Sequence, residues 1–126
     1  MTQRDGNGGW ISDSTEVQYS RISGNWSKYY NRLRNIRGRK HIRLNELLEL
    51  HEHQQGLCAL TGEPMTCELS VGTVSLTNAS IDRIDHGGDY SLNNIRLVCR
   101  IANIMRWTMS DEELLNWCRK VTMWND

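Results

Sequence analysis

The chain has 126 residues, which is enough for one domain with a modest hydrophobic core and too few for several domains of ordinary size. It contains no apolar run long enough to cross a membrane, and the first twenty residues are too polar for a signal peptide, so we expect no membrane association and a cytoplasmic location. The formal net charge is zero, from 15 basic and 15 acidic residues, but these charges are segregated along the chain.

The segregation concentrates positive charge near the N-terminus. Residues 21–43 carry eight Lys or Arg and no acid, whereas residues 44–70 carry five Glu and no Lys or Arg. A block of like charge is costly unless a polyanion neutralises it, and interleaved aromatic side chains favour stacking on sugars or bases. A solvated helix face is the alternative interpretation. The residues predicted to contact DNA within this segment are Lys28, Arg32, Arg34, Arg37, Arg39, Lys40 and Arg43.

An arm and two helices are predicted for the first 56 residues. Residues 1–20 are rich in Gly, Ser, Thr and Asp without a period, which predicts a loose arm with Trp10 and Ile11 tucked onto the domain. Residues 26–36 predict a helix with one apolar stripe, formed by Trp26, Tyr29, Tyr30, Leu33 and Ile36 and ended by Gly38. We treat residues 21–56 as one basic helical segment that grips DNA.

The second of these helices is predicted over Leu44–Gln55. Asn45 is a plausible N-cap and Gly56 a stop signal, with Leu47, Leu48 and Leu50 on the apolar side. Glu49, His51, Glu52 and His53 are interpreted as the solvated side of this helix.

A hairpin and a helix are predicted next, within a core spanning residues 57–126. Residues 66–78 suggest a short strand or an irregular crossing, followed by a strand over Ser80–Asp85, a loop at Gly87-Gly88 and a second strand over Ile95–Cys99. Arg100–Trp107 is predicted to be helical. Its inward residues are expected to be Ile101, Ile104 and Met105.

A capping box opens the last predicted helix. Ser110 is the N-cap and Glu113 the N3 residue of a helix that continues through about Val121. Its buried side is predicted to contain Leu114, Leu115, Trp117 and Cys118, and Trp107 and Trp117 are expected to add packing. The sequence thus predicts a single compact α+β domain.

Three polar residues of the hairpin and helix form a candidate metal site. Asp82 lies near a strand end and Asn103 on the following helix, and both offer oxygen ligands to a hard cation such as Mg²⁺ or Mn²⁺. Asn94, at the start of the second strand, is expected to bond the backbone across the loop and to fix its geometry. Such a metal stabilises the phosphorane and the departing 3′ oxygen while a base activates water.

The combined pattern resembles the HNH endonucleases of the His-Me finger (ββα-metal) superfamily, in particular a phage and bacterial branch. The matching residues are Ser80-Ile-Asp-Arg-Ile-Asp85, Gly88, Tyr90, Asn94, Val98, Asn103, Met105 and Arg106, with Leu57-Cys-Ala-Leu-Thr-Gly62 upstream. The resemblance covers roughly residues 44–120. It implies a ββα-metal core, one catalytic metal ion, and hydrolysis of DNA phosphodiesters by nicking or cutting to leave a 5′-phosphate. It also suggests that Arg106 contacts the DNA backbone.

One residue departs from the family pattern. Arg83 occupies the place of the histidine base, and a guanidinium stays protonated near neutral pH, so we predict that Arg83 holds the scissile phosphate instead. His86 is the first candidate for the base, provided that the glycine loop folds back, followed by Tyr90 and His41. Loss of catalysis, leaving a DNA-binding module, is the alternative.

The cysteines offer only half of the zinc knuckles that many relatives carry. Cys58 and Cys99 each retain one sulfur of a C-x-x-C pair, and a structural zinc site needs four ligands. We therefore predict reduced, buried thiols at the four cysteines, including Cys67 and Cys118, and no structural zinc.

The sequence leaves three functional hypotheses. The first is a metal-dependent DNA endonuclease, the second a DNA-binding module with an inactive site, and the third a phage accessory protein whose basic face meets an acidic partner. The sequence does not predict the oligomeric state.

Overall fold

The N-terminal residues contribute one short strand pair to the computed structural model, which describes residues 3–4, 10–11, 24–69 and 75–126. Strands β1 (Gln3–Arg4) and β2 (Trp10–Ile11) pair antiparallel. The rest of the predicted arm, and the packing predicted for the side chains of Trp10 and Ile11, lie outside the described residues.

Helix α1 (Gly24–Arg34) places an aromatic stripe in the core. Tyr30 is completely buried, and the hydroxyl of the buried Tyr29 donates a hydrogen bond to the carbonyl of Ala79 at 2.6 Å. The helix ends two residues before Ile36, which is 47% exposed, so the prediction that Ile36 extends the stripe is wrong. The basic segment is therefore anchored to the hairpin through its aromatic side.

Helix α2 (Leu44–His53) begins at the predicted residue and ends two residues before the predicted Gln55. The N-cap is Arg43 rather than Asn45, and its backbone N–H donates to the Glu46 carboxylate at 2.8 Å. After His53 the chain turns through left-handed conformations at Gln55 (φ 57°) and Gly56 (φ 71°). Glycine adopts this region without a steric penalty, which explains why the stop lies here.

The side of α2 that the sequence suggested was solvated is in part buried. Glu49 is only 5% exposed, and the ring of His51 lies 4.3 Å from that of Trp26 while its Nδ1 meets the Tyr30 hydroxyl at 2.8 Å. Burial lowers the pKa of His51 to about 4. Only His53 and Glu52 are exposed as expected.

Strands β3 (Ala79–Arg83) and β4 (Ile95–Cys99) form an antiparallel hairpin. The first strand starts one residue before the predicted Ser80 and ends two residues before Asp85, while the second has the predicted bounds. Upstream, residues 57–69 are irregular, with isolated bridges between Leu57 and Pro64 and between Thr66 and Asn78. Residues 70–74, part of the predicted crossing, lie outside the described residues.

The hairpin has an apolar face and a polar face, because side chains alternate along each strand. Ile81 and Leu97 are opposite each other and belong to the core that α1 and α2 cover. Asp82 is opposite Arg96 in the same register, on the face next to which the following helix packs. The fold is α+β, and Ser80, Asp82 and Arg96 share this second face.

Helix α3 (Arg100–Arg106) follows β4 directly and buries a different set of residues from the one predicted. Ala102 and Arg106 are buried, whereas Ile104 and Met105 are 54% and 48% exposed, so the inward orientation predicted for them is wrong. A short helix that packs on a polar face can turn its polar side inward when its side chains find partners on that face. Arg106 does this by pairing with Asp82.

Helix α4 (Asp111–Asn125) opens with the predicted capping box and runs past Val121. The Ser110 hydroxyl accepts from the Glu113 N–H, and the Glu113 carboxylate accepts from the Ser110 N–H, each at 3.2 Å. The buried side predicted for this helix is wrong except at Leu114. Exposure is 46% at Leu115, 55% at Trp117 and 76% at Trp107, and Cys118 is half-buried.

All four cysteines are unbridged thiols, and two of them meet inside the core. Cys58 and Cys99 are buried, whereas Cys67 and Cys118 are half-buried. The Cys99 N–H donates to Cys58 Sγ at 3.2 Å. Burial raises the pKa of the Cys58 thiol, but hydrogen bonds from Thr61, Cys99 and Leu60 outweigh it and lower the pKa overall. Among the described residues no helix combines the length and the apolar character needed to span a bilayer.

Candidate active site

The loop between the two hairpin strands is closed by the side chain of Asn94. Its Oδ1 accepts from the Asp85 N–H at 2.9 Å, and its Nδ2 donates to the carbonyls of Asp85 at 3.1 Å and Asp89 at 2.8 Å. A Cβ at Gly88 would lie 2.6 Å from Asn94 Nδ2, which explains the glycine at this position. Asn94 thus bonds the backbone across the loop and holds both of its ends.

Asp82 is buried beneath two arginines. It is 5% exposed, and its Oδ2 accepts from Arg96 Nε at 2.9 Å and from Arg106 Nη1 at 2.8 Å. Two cations on one carboxylate offset the cost of burying its charge. Both contacts use the same oxygen, and Oδ1 accepts no hydrogen bond from the described residues.

A second carboxylate completes this cluster. Arg96 forms a bidentate pair with Asp111, at 2.7 and 2.6 Å, and Arg106 Nε lies 3.3 Å from the same carboxylate. The hydrogen bonds to Asp111 are the main reason that the pKa of Arg96 is raised, and the contact with Arg96 in turn lowers the pKa of Asp111. With two carboxylates and two guanidiniums the cluster is electrically neutral, and it fastens the start of α4 to the hairpin.

Arg106 has a structural role rather than the predicted DNA contact. It is 3% exposed, and besides Asp82 it donates to the carbonyls of Arg83 at 2.6 Å, Ile84 at 2.5 Å and Met109 at 2.9 Å. A side chain that is buried and saturated in this way does not reach a DNA phosphate. The prediction for Arg106 is therefore corrected.

Asn103 projects from α3 toward the same face of the hairpin. Its Nδ2 donates to the Ser80 hydroxyl at 2.7 Å, which orients the amide. The amide oxygen accepts no hydrogen bond from the described residues, so it remains available as a ligand.

A cavity of about 180 Å³ joins five of the six predicted catalytic residues. Its lining includes Asp82 and Arg83 from β3, His86 and Tyr90 from the loop, and Asn103 from α3. The sixth residue, Asn94, orders the loop that carries two of them. His86 lines the cavity because the loop folds back, which is the condition that the sequence analysis attached to it.

The aromatic ring of Tyr90 lies between two guanidiniums at this cavity. The Cζ atoms of Arg39 and Arg83 lie 4.9 and 5.0 Å from the ring centroid. Arg39 Nη2 also donates to the Tyr90 hydroxyl at 3.4 Å, and Arg83 Nη1 donates to the Gly88 carbonyl at 3.0 Å. Arg39 Nε is buried and has no hydrogen-bond partner among the described residues. Two cations beside one ring make this wall of the cavity attractive to an anion.

His41, the third candidate base, lies in a neighbouring cavity. Its Nε2 meets the carbonyl of Tyr90 at 2.9 Å, and its ring does not line the cavity that contains Asp82. This position fits a residue that supports Tyr90 better than one that activates water in that cavity.

The other basic residues divide into exposed and engaged side chains. Arg34 donates to the carbonyls of Ile42 at 2.5 Å and Lys40 at 3.4 Å, so it holds the turn between α1 and α2. The exposed members of the predicted DNA-contacting set are Lys28, Arg32, Arg37, Lys40 and Arg43.

Sequence reasoning missed Arg96, Asp111 and Ser80 as members of the site. Arg96 was within reach of prediction, because the hairpin register places it opposite Asp82. Asp111 carries no such signal, since it serves equally as an ordinary acidic residue in the first turn of a helix.

The oxygens of Asp82 and Asn103 are suitable ligands for a single hard cation. Both residues line the cavity, and carboxylate and amide oxygens are ligand types that Mg²⁺ and Mn²⁺ accept. Within the described residues no three His, Cys, Asp or Glu side chains gather into a denser metal cluster. The arginines on Asp82 compete with a cation for that carboxylate.

Comparison with known proteins yields no match to a family model, a curated protein or a solved structure.

Proposed function

We propose that this chain is a divalent-metal-dependent DNA endonuclease with an HNH-type site on a ββα core. The observation that supports the proposal most is the shared cavity, which is lined by residues from a hairpin strand, its loop and the next helix. These residues are Asp82, Arg83, His86, Tyr90 and Asn103. Asp82 and Asn103 match the family's metal-site positions, Arg83 stands where the family has its base, and His86 and Tyr90 are the candidate replacements for that base.

Asp82 and Asn103 would hold the metal ion in this proposal. A bound divalent cation supplies electrostatic stabilisation of the phosphorane and of the leaving oxygen. The ion pairs of Asp82 with Arg96 and Arg106 fix the carboxylate in place, as hydrogen bonds to metal-binding carboxylates commonly do.

Arg83 and Arg39 would contact the DNA phosphate. Their guanidiniums flank Tyr90, and Arg39 joins the cavity from the basic turn between α1 and α2, so the DNA-gripping segment and the site meet here. A guanidinium fork suits a phosphate, and both side chains line the cavity.

His86 remains the first candidate for the base, with Tyr90 second. His86 is exposed and lines the cavity, so its imidazole is accessible to water there. Tyr90 lies deeper, between two cations, which favours a positioning role for its ring.

A DNA-binding module without catalysis is the second candidate. The specific observation in its favour is the double ion pair on Asp82, because two guanidiniums already bind the one carboxylate that lines the cavity among the described residues. Arg39 and Arg83 add further positive charge to the cavity, and this favours an anion over a cation.

Asn103→Ala tests the proposal without disturbing the buried ion pairs. We expect the wild type to nick or linearise plasmid DNA in Mg²⁺ or Mn²⁺, and the variant to lose activity by at least about 100-fold and to bind Mn²⁺ more weakly by electron paramagnetic resonance. Ser80→Ala is the matched control: it removes the partner of the Asn103 amide but keeps the proposed ligand oxygen, so a smaller loss is expected.

The outcomes separate the two candidates. Absence of cleavage with either metal, together with equal Mn²⁺ binding by wild type and Asn103→Ala, would reject the enzyme and leave the binding module if duplex DNA is still bound.

For the base, His86→Ala should lower the cleavage rate by about 100-fold or more. Activity that survives His86→Ala and is abolished by Tyr90→Phe would reverse the ranking.

A further inference from the structure

Helix α4 carries an apolar stripe that the described part of the molecule leaves uncovered. Only Leu114 is buried among its 15 residues. At 3.6 residues per turn, Trp117, Val121 and Trp124 fall on the same side as Leu114, and they are 55%, 61% and 89% exposed.

The stripe borders a groove formed with the end of α3. The groove has a volume of about 380 Å³, and Met105 and Met109 line its other side. Trp117 and Trp124 alone present about 300 Å² of surface, a substantial share of the roughly 800 Å² per partner in a standard interface. An exposed apolar patch of this extent marks an interaction surface.

Charges beside the stripe make it complementary to itself. Glu113 and Lys120 lie on the same edge, seven residues or two turns apart, which is about 10 Å along the axis. When two copies of such a helix pack antiparallel, equivalent edges meet. Glu113 of one copy then lies opposite Lys120 of the other, and the two-fold axis repeats the pair.

The apolar residues agree with the same register. Antiparallel packing centred between Glu113 and Lys120 brings Trp117 beside its counterpart near the two-fold axis. It also sets Trp124 opposite Met109 of the second copy, at the open groove, where sulfur and aromatic rings make favourable contacts.

We propose that α4 is a dimerisation helix, through which two copies of this chain pair antiparallel about a two-fold axis. The partner is a second copy because the acidic and basic positions on one edge lie opposite each other when two such helices pack antiparallel about a two-fold axis. Within one chain Glu113 caps the Ser110 N–H and Lys120 Nζ lies 4.4 Å from the Trp117 ring, so both side chains remain at this edge. A lipid surface would call for a basic polar edge instead, and here one acid offsets one base. The inference does not depend on the proposed nuclease activity, and its test uses no activity assay.

Sedimentation velocity of the full chain over a concentration series tests the pairing. We expect a reversible dimer for the wild type and a dissociation constant raised at least about 10-fold by Lys120→Glu, which places two glutamates opposite each other. Trp117→Ala should raise it at least about 30-fold. Arg119→Glu makes the same charge change on the far side of α4 and should leave the dimer intact.

A mixing experiment distinguishes the register from a general effect of charge. Glu113→Lys and Lys120→Glu should each weaken self-association, yet an equimolar mixture should restore a heterodimer, because both cross-pairs then become attractive. Far-UV circular dichroism checks that Glu113→Lys keeps its helix despite losing the capping hydrogen bond.

Three results would overturn the proposal. They are a wild type that remains monomeric at millimolar concentration, a dimer unaffected by both Trp117→Ala and Lys120→Glu, and a mixture of the two charge variants that stays monomeric while both are folded.

Discussion

The carboxylate of Asp82 shows how much a residue's role depends on partners distant in sequence. The pattern of the strand indicates that an aspartate lies at this point of the hairpin, and the family resemblance suggests a metal ligand. Arg96 from β4 and Arg106 from α3 both bind its Oδ2, so a metal ion would compete with two guanidiniums for this carboxylate. Arg106 gives up the expected DNA contact to do so, because its fork also satisfies three backbone carbonyls.

His51 is predicted to make stability depend on pH. Its pKa is about 4 in the folded chain, against an ordinary value of 6.5, because burial disfavours the charged ring. Between these values the unfolded chain takes up a proton that the folded chain does not. Stability is therefore fully present above about pH 6.5 and falls as the pH decreases toward 4, by on the order of 1–2 kcal/mol once partial solvent screening is allowed for.

Urea unfolding at several pH values between about 4 and 7 measures this effect. In His51→Gln the free energy of unfolding should fall less steeply between about pH 6.5 and 4. His53→Gln, at an exposed position on the same helix, should leave the pH dependence unchanged. An unaltered slope in His51→Gln would contradict the assignment.

At the scale of elements, local signals located the helices and strands well but not the faces that they bury. The bounds of β4 and the capping box of α4 are confirmed. Of the predicted inward residues of α3 and α4, Ile101 packs against the core and Leu114 is buried, but the others are wrong, because periodicity identifies an apolar stripe without showing whether another element covers it. Helix α3 packs against a polar face of the hairpin, so its apolar residues stay outside. The described residues cover almost none of the apolar stripe of α4.

Gly88→Ala is predicted to disturb the hairpin loop. Its Cβ would lie 2.6 Å from Asn94 Nδ2, which is tied to the carbonyls of Asp85 and Asp89 and cannot move without breaking those bonds. We expect a loss of about 1–3 kcal/mol in the free energy of unfolding. Gly87→Ala is the matched control, since its nearest contact is 3.5 Å, and it should change stability by less than about 0.5 kcal/mol. Equal losses in a chemical denaturation series would count against the role given to Asn94.

At the scale of the whole molecule, the exposed basic side chains and the candidate site lie on different parts of the chain. Arg39 belongs to the basic segment and also lines the cavity of the site. The aromatic side of α1 packs into the core, so its exposed lysine and arginines face outward, while Arg39 enters the cavity beside Tyr90. The zero net charge therefore coexists with a local electrostatic surface suited to a polyanion.

Salt dependence is predicted to distinguish the two kinds of arginine in the basic segment. Arg37→Ala removes an exposed charge and should reduce the slope of log affinity against log salt for duplex DNA by about 0.9. Arg34→Ala should instead lower stability, because its side chain bonds the carbonyls of the turn before α2. Fluorescence anisotropy over a salt series, alongside thermal unfolding, measures both. Identical salt slopes for wild type and Arg37→Ala would remove this position from the proposed DNA surface.

The sequence by itself determined the α+β class, the hairpin that precedes a short helix, and five of the eight residues that line the candidate cavity. These follow from alternation, caps and glycine positions, which act over a few residues, and from a family resemblance. Only the tertiary structure decided that Asp82 is shared by two arginines, that His51 is buried, and that the stripe of α4 faces outward. Each of these depends on contacts between distant segments, whose energies are set by burial and pairing rather than by local conformational preference.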